Sequence, residues 1–149
     1  MRHIFIMILI FIMTNNSLGQ NRANKITGTW YSNTKKGKVL IYKTGSQYYG
    51  KLIELEKFKD ADGNELLDTN NPDETKRKRP LIGIVFLTDL KYDERKDRWK
   101  GRLYDYDGSS GNTYDSYITL KDDDILNIRG FWGLSWFGLN KGLKLTRIE

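Results

Sequence analysis

The chain has 149 residues, the size of one domain, and its 14 Gly and 2 Pro mark no linker between two cores. It has no Cys and a single His, His3, which excludes disulfides, thiolate metal sites, a thiol nucleophile and a lipid-modified N-terminal cysteine; without His3, a Ser-His-Asp triad and the usual zinc site go too. The formal charge of +6 is modest, so an acidic ligand or an anionic envelope surface is allowed rather than implied.

Met1-Arg2-His3 is basic, Ile4 to Met13 is an unbroken apolar run, and Ser17-Leu18-Gly19 supplies the small residues a signal peptidase reads. The run is about half the ~20 apolar residues a membrane-crossing helix needs. A leader over residues 1–19, cleavage before Gln20, a single exported domain over 20–149 and no transmembrane segment in the mature chain are therefore expected. Export, to the periplasm or beyond, also disfavours a nucleic-acid partner.

Ile26 to Tyr31 reads as the first strand, with Gly28 two residues before Trp30. Lys38 to Lys43 and Tyr48 to Leu55 form a hairpin signal around Thr44-Gly45-Ser46-Gln47. The longest connection, Lys57 to Lys78, holds an Asp62-Gly63 turn and a short helix start at Asn71-Pro72-Asp73-Glu74, which Pro80 limits to a turn or two. Leu81 to Leu87 is continuously apolar and reads as a strand covered on both faces, with Thr88 to Asp97 a charged connection. Arg98 to Tyr104, Tyr114 to Leu120 and Ile125 to Gly130 alternate as strands, separated by a Gly- and Ser-rich turn and by Asp122-Asp123-Asp124, read as a solvated turn. Phe131 to Gly138 reads as a bend or helical turn before a final strand, Leu139 to Ile148.

About eight short strands at hairpin spacing point to an all-β, up-and-down antiparallel barrel, with a two-sheet sandwich as the alternative. On the last strand Arg147 shares a face with Leu143 and Leu145. An inward guanidinium needs its charge met, and the Trp30 indole offers a face for it. First and last strands would then be neighbours, closing the sheet.

Gly28-Thr29-Trp30, Tyr48-Tyr49-Gly50-Lys51, Asp68 to Asp73, Arg79-Pro80-Leu81-Ile82-Gly83, Tyr104-Asp105, Gly111, Tyr114, Arg129-Gly130, Gly138 and Arg147 together resemble the bacterial family known as domain of unknown function 2147. That resemblance implies small exported β-barrel proteins with no agreed function. The Gly-x-Trp start and terminal Arg are also similar to lipocalins and their calycin relatives, in which Trp and Arg seal the closed end of the barrel. The chain departs from them in lacking a disulfide and in placing its long connection after the third strand rather than the first.

Among catalytic patterns, Gly133-Leu134-Ser135-Trp136-Phe137 fails the G-x-S-x-G elbow at its last position. Paired carboxylates remain, facing each other across a sugar at about 5 to 9 Å. Asp68, Asp73 and Asp105 are the acids in question, and turn, cap and salt-bridge roles account for each. Asp68 and Asn71, with Arg79, are expected to pin the long connection across one barrel mouth. Asp60-Ala61-Asp62-Gly63-Asn64 fails as a calcium loop, because Phe58 and Thr69 fall at its first and last ligand positions. No metal or cofactor is implied.

Aromatics are the one surplus, at 13% of residues. Tyr42, Tyr49, Phe86, Trp99, Tyr104, Trp132, Trp136 and Phe137 are the candidates for lining a pocket, with Tyr104, Arg129 and Arg79 to orient a polar head. A barrel of about eight strands is just wide enough to be filled by its own side chains or to hold one small molecule. Two functions stay open: an exported, non-enzymatic binder of a small apolar or amphipathic ligand, or a solid barrel that meets an envelope protein or anionic surface through its aromatic and basic residues.

Overall fold

The computed structural model describes residues 19–107, 111–131 and 141–148 of the chain. Eight strands run β1 (Gly28–Ser32), β2 (Gly37–Thr44), β3 (Gln47–Leu55), β4 (Val85–Asp93), β5 (Arg98–Tyr104), β6 (Thr113–Lys121), β7 (Ile125–Phe131) and β8 (Lys141–Arg147). Each is antiparallel to the next, and β8 pairs back onto β1, with Trp30 opposite Arg147 and Tyr31 opposite Thr146. The sheet is thus a closed barrel and not a sandwich, and closure leaves no edge strand to template aggregation.

Period-two burial sets the inward face of most strands: Val39 and Ile41 on β2, Tyr48 and Leu52 on β3, Ile118 and Leu120 on β6, Leu126 and Ile128 on β7, Leu145 on β8. These side chains, with Trp30, Leu90 and Trp99, fill the half of the barrel where β1 starts and β8 ends.

Two elements depart from the sequence reading. The strand expected over Leu81 to Leu87 starts only at Val85, because Gly83 turns at φ +96° while its N–H and the Ile84 carbonyl bond to Leu52 of β3. Of the segment expected as a charged connection, Thr88 to Asp93 is the second half of β4, and only Glu94 to Asp97 makes the turn to β5. Asp89, at φ +56°, sits in a bulge against β5, and Leu90 beyond it points inward, fully buried. A bulge inserts one residue and hides the alternation that marks a strand.

The short helix expected from Asn71 is a single 3-10 turn, Glu74–Lys76, capped by Asp73, whose carboxylate accepts from the Thr75 N–H. Asn71 instead makes a turn one step earlier, its Oδ1 accepting from the Asp73 N–H at 2.9 Å. A helical segment that was not anticipated, α1 (residues 19–24), precedes β1. No helix among the described residues is long and apolar enough to cross a membrane.

Candidate functional site

The two ends of the barrel are built differently, and the difference defines the site. At one end Arg147 lies over the Trp30 ring, guanidinium carbon 4.1 Å from its centroid. Its three nitrogens donate to backbone carbonyls: Nε to Asp123 at 2.9 Å, Nη1 to Thr27 at 3.1 Å and Nη2 to Lys25 at 2.5 Å. A planar five-donor fork is the side chain suited to gathering three carbonyls at once. The indole N–H of Trp30 donates in turn to the Ile26 carbonyl at 2.9 Å.

Helix α1 lies across this same end. Ala23 is buried, its carbonyl accepts from the Trp99 indole at 3.1 Å, and Asn24 accepts from the Tyr48 hydroxyl at 2.7 Å. Arg22 forks onto Asp97 of the β4–β5 turn, through Nε at 2.9 Å and Nη2 at 2.8 Å, and reaches Asp123 through Nη1 at 2.9 Å. Hydrogen bonds from Arg22, then Tyr92, hold the Asp97 carboxyl down at about 2; burial, then the Asp97 hydrogen bond, pushes the Tyr92 phenol up to about 12. The run Asp122-Asp123-Asp124 is therefore more than a solvated turn: Asp122 and Asp123 take positive φ, and Asp123 anchors both Arg22 and Lys25.

At the other end the connection between β3 and β4 is tied down by one buried carboxylate. Asp68, with no exposed surface, accepts from the Tyr104 hydroxyl at 2.5 Å and from Asn71 Nδ2 at 2.7 Å, while Arg79 Nε and Nη2 each lie 2.8 Å from its Oδ2. Burial, then the hydrogen bond to Asp68, pushes the Tyr104 phenol up to about 12. The expected pairing of Asp68 with Arg79 is present, and Tyr104 joins it. Gly111 closes the same corner at φ +55°; a Cβ there would stand 2.2 Å from the Asn70 carbonyl oxygen.

Between these fixed loops lies a cavity of about 280 Å³. Phe86 of β4, Leu103 and Tyr104 of β5, Tyr114 of β6 and Leu143 of β8 wall it, joined by Tyr106 from the loop after β5. Phe86 and Tyr106 meet edge to face, centroids 5.5 Å apart. Lys35 of the β1–β2 turn, Asp105 and Asp107 stand at the rim, where Lys35 pairs with Asp107. Burial works to raise the Asp107 carboxyl, but the hydrogen bond and charge of Lys35 win and hold it below the ordinary carboxylate range. Burial, then the charges of Asp107 and Asp105, pushes the Tyr106 phenol above its ordinary value.

Of the residues expected to line a pocket, Phe86 and Tyr104 are in this cavity and the other described ones are elsewhere. Tyr42 and Tyr49 face outward, stacked on each other at 5.8 Å with the Lys51 ammonium over Tyr42. Their inward assignment is corrected by Gly50: it takes the interior position, where a Cβ would stand 2.7 Å from Leu87 Cδ1, and that phase turns Tyr49 and its partner Tyr42 out. Trp99 is buried at the sealed end, away from the cavity. Arg129 is exposed on the outer face of β7, and Arg79 is committed to Asp68. Trp132, Trp136 and Phe137 lie outside the described residues.

Sequence reasoning missed Tyr106, Leu103, Tyr114, Leu143, Lys35 and Asp107, and singled out Asp105 only as a candidate acid. Alternation on β5, β6 and β8 already carried Leu103, Tyr114 and Leu143; nothing local marked Tyr106 or Lys35, which are brought in by loops. The basic run Lys76-Arg77-Lys78-Arg79 is largely answered in place, since Lys76 meets Asp73, Arg77 meets Glu74 and Arg79 meets Asp68. No group of three His, Cys, Asp or Glu placed to hold a metal occurs among the described residues.

Residues 28–144 match the model of a family described as uncharacterized protein conserved in bacteria (DUF2147). Among solved structures the chain is similar to protein HP1028 from the human pathogen Helicobacter pylori, described as belonging to the lipocalin family, with 23% identity, a TM-score of 0.65 and 83% of each chain covered. At that identity the likeness is one of fold. No curated protein matches the chain.

Proposed function

The chain belongs to the DUF2147 family of uncharacterized bacterial proteins and forms a closed, lipocalin-like barrel, and on that premise we propose that it is an exported, non-enzymatic protein that binds a small apolar or amphipathic molecule at its open end. The cavity carries this reading. It is walled by aromatic and aliphatic side chains, a few polar groups gather at one side, and its volume of about 280 Å³ falls just under the ~300 to 1,000 Å³ usual for ligand pockets, which suits a small molecule. The sealed end, packed behind it, makes a cup rather than a channel.

The acids weigh against carboxylate catalysis. Asp73 is a cap held at about 2 by Lys76 and Thr75, Asp68 is spent on its donors, and Asp107 is kept ionised by Lys35, whereas a general acid needs a raised pKa. Export rests on the leader over residues 1–19; the mass of the mature protein from the host envelope, expected to begin at Gln20, tests it.

The neutral fluorophore N-phenyl-1-naphthylamine tests the cavity. Its emission should rise on binding, and Leu143→Trp, which fills the cavity, should abolish the rise while leaving the fold intact by circular dichroism. Absence of binding, or binding untouched by Leu143→Trp, would overturn the proposal. A second reading, an interaction module for an envelope protein, has one observation in its favour: Phe58 and Ile82, both exposed, flank one shallow groove on the long connection.

A further inference from the structure

The positive charge of the chain is concentrated on one outer wall of the barrel. We propose that the outer face of β5, β6 and β7 is a docking surface for a bilayer rich in anionic phospholipid, which holds the barrel side-on against a leaflet of the envelope. This goes beyond the ligand-binding reading and does not depend on it.

The outward positions of these three strands hold Arg98, Lys100, Arg102, Lys121 and Arg129 against one acid, Asp115. Asp115 answers Arg102, at 3.9 Å, and Lys121 adjoins the acidic turn Asp122-Asp123-Asp124. Arg98, Lys100 and Arg129 are left, and among the described residues none of them has an ion pair. The Arg98 guanidinium lies over the Tyr117 ring, 4.9 Å from its centroid, and its Nε is buried with no hydrogen-bond partner. Lys100 and Arg129 stand in register with Tyr117 on either side, so three cations surround one ring.

The neighbouring strands add to the field. Lys144 flanks the face from β8, and β4 contributes Lys91 together with Asp89 and Asp93. Lys91 is directly across from Lys100, and like charges so placed cost stability. On the far side of the barrel the same ladder position is filled by opposite charges, Lys38 across from Glu54 at 2.7 Å. An anion from outside relieves the repulsion between Lys91 and Lys100.

The layout suits a plane of headgroups. Arg98, Lys100 and Arg102 recur at every second residue of β5, about 7 Å apart, and Arg129 lies two strands away, about 10 Å across the sheet. A linear polyanion follows a line of charge, whereas this array extends both along and across the strands. Tyr117 and Phe131, half-buried with centroids 5.9 Å apart, set rings among the cations, the mixture found where protein meets a membrane surface. Gly142, across from Arg129, leaves open space beside that side chain. The leader read over residues 1–19 sends the chain to where such leaflets are.

Flotation with large vesicles tests the face, using the processed protein from its host with phosphatidylcholine alone or mixed with anionic phosphatidylglycerol. A Lys or Arg near an anionic surface is worth about fivefold in partition, so three of them put the preference for mixed vesicles on the order of a hundredfold. The preference should shrink as salt rises. Lys100→Glu combined with Arg129→Glu should lower binding to the level of neutral vesicles. Lys38→Glu combined with Lys51→Glu makes the same change of charge on β2 and β3, across the barrel, and should leave most of the preference in place; circular dichroism checks that both variants keep the fold.

Absence of a preference for the anionic vesicles overturns the inference, and does so equally if the protein binds soluble polyphosphate instead. Equal losses in the two double variants overturn it as well, because net charge and not this face would then be responsible. The naphthylamine titration is run without lipid, so the cavity reading stands or falls separately.

Discussion

Replacing Asp68 by Ala should loosen the open end of the barrel without unfolding its wall. The carboxylate is fully buried and receives Tyr104 at 2.5 Å, Asn71 at 2.7 Å and two Arg79 nitrogens at 2.8 Å. Breaking a buried ion pair costs about 3 to 5 kcal/mol when the stranded charge stays buried. Here the stranded partner, Arg79, has 38% of its side chain exposed and can rehydrate, so most of that cost is discounted. What remains is the Tyr104 hydroxyl, left without its acceptor at about 1 to 3 kcal/mol, and the Asn71 amide, in a residue only 5% exposed, which loses one acceptor but still donates to the Tyr104 oxygen at 3.0 Å. Water entering the vacated space recovers part of this, and a net loss of about 2 to 4 kcal/mol is expected, a large share of the 5 to 15 kcal/mol that holds a typical domain. Urea unfolding of the parent, Asp68→Ala, Arg79→Ala and the double variant gives the loss and, from the cycle, the coupling between the two. Hydrogen exchange should locate the effect in the connection between β3 and β4, with the strands still protected. A loss below about 1 kcal/mol, or additive single effects, would refute the assignment of Asp68 as the anchor of that connection.

A matched pair of glycine substitutions separates backbone strain from crowding. Gly45 at φ +60° has open space around it, so Gly45→Ala should cost only about 1 kcal/mol, whereas Gly111→Ala puts a methyl 2.2 Å from a backbone oxygen and should cost about 2 to 4 kcal/mol; thermal unfolding of both reads the difference. Arg147→Lys keeps the charge but loses the fork that reaches three carbonyls, and a loss of about 1 to 3 kcal/mol with a changed near-ultraviolet signal from Trp30 is expected; unchanged melting and spectrum would show that the seal does not need a guanidinium. The Tyr104 phenol, at about 12 in the folded state against ~10 for an unperturbed tyrosine, holds its proton more tightly when folded. Its contribution is therefore fully present below about pH 10 and is lost as pH rises through about 12. Tyr104→Phe should flatten that part of the alkaline decline in urea midpoints, while Tyr92, raised similarly, keeps its own share.

Local pattern by itself determined the class of fold, because alternation, hairpin loops and the absence of Cys leave few ways to bury a core in this length of chain. It also reached two distant pairings, Trp30 with Arg147 and Asp68 with Arg79, since an inward cation and an acid in a loop with few apolar residues each demand a partner. Tertiary structure alone decided which phase of an apolar strand faces in. Tyr42 and Tyr49 lie in runs where either face would serve, and the choice falls to Leu87 of a neighbouring strand, which occupies the space Gly50 leaves. The bulge at Asp89 shifts the period within β4 in the same way, and no local signal announces it. The rim charges, Tyr106 and the clasp of Arg22 on Asp97 and Asp123 come from turns far apart in sequence, and they meet only because the sheet closes. Period two is a property of one strand; a cavity is a property of the ring of strands, and only closure places its walls.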